Sequence, residues 1–93
     1  MSRLFDKIKA AVELERVLVS WHADDQCEHR KVAAWQIVAG VADAKLIQER
    51  PSSKPNPSVV LEQILADGST VQAVWSWLEE SERAKLVTVF FLE

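Results

Sequence analysis

The sequence predicts a mainly α domain of three to four helices, and three observations carry that expectation. Strong helix formers (Ala, Leu, Glu, Gln, Lys and Arg) dominate the 93 residues, while only two glycines, Gly40 and Gly68, are present. An all-β domain needs a turn about every 8–12 residues, and the chain lacks the usual turn residues for that. Apolar residues also recur at steps of three and four along two long segments, and a third segment is bracketed by helix-start and helix-stop residues.

Over residues 2–21, Leu4, Ile8, Ala11, Leu14, Leu18 and Trp21 form one helical stripe. Ser2 is placed to cap its start and Asp6 lies near the positive helix end. Val17, Val19 and Trp21 also alternate with Leu18, Ser20 and His22, which gives 16–22 a rival strand reading. Residues 23–29, Ala-Asp-Asp-Gln-Cys-Glu-His, break the apolar pattern and read as a connection.

A second helix is predicted over 30–49, where Val32, Trp35, Ala39, Ala42 and Leu46 share a stripe. Gly40 within it marks a close approach of a neighbouring helix. Pro51, Pro55 and Pro57 fall in one stiff polar stretch, so 50–56 reads as a linker. Asn56 as N-cap, Pro57 as first helical residue and Gly68 as C′ residue bracket a helix over 57–66. Ser69 with Gln72 makes a capping-box pattern ahead of a last helix over 70–84, whose face is Val71, Val74, Trp75 and Leu78. The run 86–91, Leu-Val-Thr-Val-Phe-Phe, is β-prone. Paired with 16–22 it would make a short two-stranded element, which is the α+β alternative.

All 93 residues are assigned to a single domain, for the length leaves room for only one core. The hydrophobic share of 48% and charged share of 27% are those of a globular chain. The formal net charge is −3, with the acidic excess in residues 51–93. That balance argues against nucleic-acid binding, which draws its affinity from clustered Lys and Arg, and against an anionic membrane surface. The single cysteine, Cys27, forms no internal disulfide, and no secretory signal is visible, so a cytoplasmic location is expected.

Candidate chemistry is sparse. His22, Asp24, Asp25, Cys27, Glu28 and His29 crowd into eight residues, yet zinc spacing wants a second ligand pair far along the chain, and none exists. A metal or thiol site on His22, Cys27 and His29 therefore stands only as an alternative. No catalytic residue, enzyme activity or cofactor is expected. A helix-turn-helix over 57–77, offering Ser69, Thr70, Gln72 and Ser76 to bases, is a second alternative, weakened by the lack of Arg or Lys before Arg83.

The four tryptophans are the best functional hint. Trp21 and Trp35 lie on their stripes and are assigned to the core. Trp75 and Trp77 would point about 200° apart on a helix, so one of them should be exposed. Trp75, Trp77, Glu79, Glu80, Phe90 and Phe91 are therefore the expected partner-binding surface. The expected function is a small non-enzymatic protein-interaction domain that binds another protein or itself, with a homodimer as one form.

Overall fold

The computed structural model describes residues 3–92, and the capping expected of Ser2 lies outside them. The chain runs α1 (Arg3–Glu13), β1 (Val17–Val19), α2 (Trp21–His29), α3 (Ala34–Ala39), a 3₁₀ turn at Val41–Asp43, then β2 (Lys45–Arg50), β3 (Ser58–Ile64), β4 (Thr70–Leu78) and β5 (Arg83–Leu92). The strands form one mixed sheet in the order β1-β5-β4-β3-β2. The fold is α+β, and the mainly α, helical expectation is overturned.

The strands β3 and β4 replace the helices expected over 57–66 and 70–84. In β4, Val71, Ala73, Trp75 and Trp77 are buried while the residues between them are only partly covered, which is a period of two. β-branched and aromatic side chains suit such a half-buried pleat better than a helix face. Gly68 closes a hairpin here and not a helix. The Gly68 N–H donates to the Leu65 carbonyl at 2.9 Å and the Leu65 N–H to the Ser69 carbonyl at 2.8 Å. With Gly68 at φ 87°, this is a three-residue hairpin loop with its glycine in the left-handed region. Asp67 completes it by accepting from the Ser69 N–H at 2.8 Å, and the Ser69 hydroxyl, together with that N–H, holds the Asp67 carboxyl below its ordinary value.

The long helix expected over 2–21 stops at Glu13. The Glu15 N–H donates to Val12 and the Arg16 N–H to Ala11, the paired bonds of a Schellman cap. Glu15 takes the left-handed position, at φ 59°, that glycine normally fills. The segment 23–29, read as a connection, is instead the body of α2. Ser20 caps it by accepting from the Ala23 N–H at 2.9 Å, and Ala23 and Cys27, one turn apart, face inward. Its far end repeats the Schellman pattern, with Lys31 at φ 57° bonding Glu28 and Val32 bonding Cys27. Of the helix expected over 30–49, only the six residues of α3 are α-helical, and β2 begins at Lys45.

Lys31 carries a conformational penalty of about 1–2 kcal/mol that glycine would not, against about 0.5–1 kcal/mol for glycine's extra freedom in the unfolded chain. The expected result for Lys31→Gly is a gain of about 0.5–1 kcal/mol in urea unfolding, with the same slope as the parent.

The core lies between the sheet and the helices. Phe5, Ile8 and Ala11 of α1 pack with Val59 and Leu61 of β3, with Val71, Ala73, Trp75 and Trp77 of β4, and with Ala84, Leu86 and Val89 of β5. β1 runs parallel to β5, with Val17, Leu18 and Val19 beside Ala84, Lys85 and Leu86. The strand reading of 16–22 thus holds over three residues, as one edge of a larger sheet. No helix among the described residues is long and apolar enough to cross a membrane.

Candidate interaction surfaces

The tryptophans sit opposite to where helical stripes would put them. Trp75 is 0% exposed and Trp77 7% exposed, because residues two apart on a strand share a face. Trp21 and Trp35, expected in the core, are 83% and 68% exposed. The buried pair therefore offers no indole surface to a partner. Trp77 donates its indole N–H to Glu79 Oε2 at 2.6 Å, and Lys7 pairs with the same carboxylate at 3.8 Å. Glu80 lies exposed in the turn between β4 and β5. Phe90 is exposed on the outer sheet face, while Phe91 is half-buried, with the Arg30 guanidinium 5.2 Å from its ring centre. The six residues of the expected surface are thus divided among core, turn and two sheet faces.

The His22–His29 segment is divided by α2 in the same way. Cys27 is buried, whereas His22 and His29 are exposed. No three His, Cys, Asp or Glu side chains among the described residues converge as metal ligands would. His29 donates from Nδ1 to the Asp25 carbonyl at 2.9 Å, and that bond, with the Asp25 carboxylate, pushes its pKa up. Burial, aided by the Asp24 charge, pushes the Cys27 thiol up as well. The folded thiol therefore keeps its proton to higher pH than the unfolded one. Stability is expected to fall as pH rises past the ordinary thiol value, about 8.5. At neutral pH a disulfide reagent should label Cys27 only as fast as the chain opens, and rapid labelling of the folded chain would contradict its burial.

The helix-turn-helix alternative needed helices across 57–77, and this segment is the β3–β4 hairpin.

Two surfaces stand out instead. The first is the sheet edge at β1. Arg16 accepts from the Ala84 N–H at 3.0 Å and the Ser20 N–H donates to Leu86 at 2.9 Å. In a parallel ladder, bonding by the even-numbered residues turns the N–H and C=O groups of Val17 and Val19 away from β5. Leu18 and Val19 are exposed along this edge, with Leu14 and Trp21 exposed at its two ends. The other free edges are guarded. β2 carries Lys45, Glu49 and Arg50. Beyond β1, β5 is covered by α2, whose Gln26 Oε1 accepts from both Thr88 Oγ1 and the Val89 N–H at 2.9 Å. β1 itself has no charge, proline or glycine to discourage pairing.

The second surface is a groove of about 610 Å³ between α1 and α3. Val12, Val38, Ala39, Ala42 and Trp35 make its apolar walls, and Asp6, Lys9, Glu13 and Glu15 its rim. Trp35 also walls a smaller hollow of about 270 Å³ that includes Gly40, Gln63 and Leu65. Gln63, only 3% exposed, donates from Nε2 to the Ile37 carbonyl at 2.8 Å and ties β3 to α3.

Helical stripes reveal neither surface, although the β1 edge carries a local signal. Val17-Leu18-Val19 is a β-prone run between Arg16 and Ser20, whereas nothing in the apolar segment around Trp35 marks that residue as exposed.

Comparison with known proteins is spare. No curated protein matches the chain, and no solved structure matches it. One family does match, over residues 19–91, a span that holds α2, α3 and the strands β2 to β4 and leaves α1 outside. On that match, covering most of its length, the chain belongs to the family described as Domain of unknown function (DUF4258).

Proposed function

We propose that this chain is a small, non-enzymatic protein-interaction domain that works by self-association through the β1 edge. The observation that carries the reading is an apolar edge strand whose outward backbone groups have no partner strand among the described residues, in a sheet whose other edges are guarded. Antiparallel pairing of two β1 strands about Leu18 sets Val17 of each copy opposite Val19 of the other. It forms four main-chain hydrogen bonds and joins two five-stranded sheets into one. Leu14, Leu18 and Trp21 supply apolar area around the contact, as a symmetric interface requires. The reading includes a cytoplasmic location, with which the free, buried Cys27 agrees. The acidic balance speaks against nucleic acid as the partner.

Val19→Pro tests it. Proline there removes an N–H that faces away from β5, so pairing within the chain survives and only the outward ladder is lost. The expected result is a wild-type dimer by sedimentation velocity and a Val19→Pro monomer with a cooperative unfolding transition. A wild-type chain that stays monomeric at every attainable concentration would overturn the reading, as would a Val19→Pro chain that dimerises as tightly as its parent.

A further inference from the structure

We infer that the groove between α1 and α3 is a second interface, and that its occupant is a positively charged, amphipathic helix of a partner protein. This site is separate from the β1 edge and does not depend on self-association. The shape and the charge both point to such an occupant. The groove runs between two helices and holds about 610 Å³ of open space. Ala10, Ala39 and Ala42 line it with short side chains, which leave room for a helix to approach closely. Trp35, 68% exposed, presents an indole wall of the residue type most often found at binding hot spots.

The rim selects the charge. Asp6, Glu13 and Glu15 stand against a single cation, Lys9. Lys9 is already engaged, 4.0 Å from Asp6 and 4.5 Å from the Phe5 ring centre. Glu13 and Glu15 have no ion pair among the described residues. Lysine or arginine on the flanks of an incoming helix meets these two carboxylates, while its apolar stripe lies on Trp35, Val12 and Val38. An acidic peptide or an anionic membrane would meet like charge at the same rim.

The experiment is a titration of the ¹⁵N-labelled full chain, followed by amide and indole N–H shifts. The probes are a synthetic amphipathic Lys/Leu helix and its Glu/Leu counterpart of equal length. The expected result is saturable shifts on α1, α3 and the Trp35 indole with the Lys/Leu peptide alone. Binding should weaken at least about tenfold in Trp35→Ala and in Glu13→Lys/Glu15→Lys, with no change in Trp21→Ala. Equal binding of both peptides, binding unaffected by Trp35→Ala, or shifts mapping away from α1 and α3 would overturn the inference. So would concentration-dependent shifts of Trp35 without peptide, which would make a second copy the occupant. Val19→Pro, run alongside, keeps failure at the β1 edge distinct from failure here.

Discussion

Trp75→Ala is expected to cost about 3–5 kcal/mol, a large part of the stability of a domain this size. Trp75 is fully buried in the middle of β4, beside Val59 of β3 on one side and Leu86 of β5 on the other. Truncation removes the largest fully buried side chain and leaves a cavity ringed by three strands, which cannot close without bending the sheet. Trp75→Phe should be much milder. The indole N–H of Trp75 has no acceptor among the described residues, and a buried orphan donor costs about 1–3 kcal/mol. Phenylalanine gives up some packing but removes that penalty, so a net loss of about 1 kcal/mol is expected. Urea unfolding of both variants measures the contrast. Equal losses would mean that the N–H is satisfied in the folded chain.

Gly40→Ala is expected to cost about 1–3 kcal/mol although the residue gains only a methyl group. The added Cβ would stand 2.5 Å from Gln63 Nε2. That nitrogen is no free side-chain end, because it holds the Ile37 carbonyl at 2.8 Å within a buried side chain. Relief requires breaking this bond or shifting α3 from β3. A double-mutant cycle isolates the cause. In a Gln63→Ala background the nearest remaining neighbour is the Gln36 carbonyl oxygen at 3.5 Å, an ordinary contact, and the penalty for Gly40→Ala should shrink by at least about 1 kcal/mol. An unchanged penalty would place the strain in the backbone at Gly40 itself.

The reading of the sequence found some features and missed others, for identifiable reasons. The amphipathic stripe of α1 was legible, and Phe5, Ile8 and Ala11 bury the expected face. The β-prone runs at 16–22 and 86–91 were also legible, and they pair in part, Val17–Val19 with Ala84–Leu86. The turns were the failure. Scarcity of glycine argued against a sheet, but Glu15, Lys31 and Glu82 take left-handed positions that glycine usually fills. Each of these sits at a reversal of the chain, and no residue type announced it. The second failure was one of period. In β4, Val71, Val74, Trp75 and Leu78 match a helix, while Val71, Ala73, Trp75 and Trp77 match a strand equally well. The Asp67-Gly68 pair, a hairpin signal, was the feature that separated the two.

The same period error moved the candidate site. A helix sets Trp75 and Trp77 on opposite faces and makes one of them a surface residue, whereas a strand buries both. It also hid the real surface residues. Trp21 seemed to extend the α1 stripe, but the Schellman cap at Glu15 redirects the chain and leaves Trp21 at the start of α2. The β1 edge follows from the sheet order, which pairs residues about 67 positions apart in the sequence. Local pattern carries no information about that.

The central claim, that β1 is covered by a second copy of the chain, is tested most directly by amide hydrogen exchange at three successive residues. Leu18 donates inward to β5, whereas the Val17 and Val19 amides face away from it. In the dimer all three should be protected to a similar degree, and dilution should release Val17 and Val19 while Leu18 stays slow. Val17 and Val19 exchanging as free amides at every concentration, beside a protected Leu18, would contradict the account.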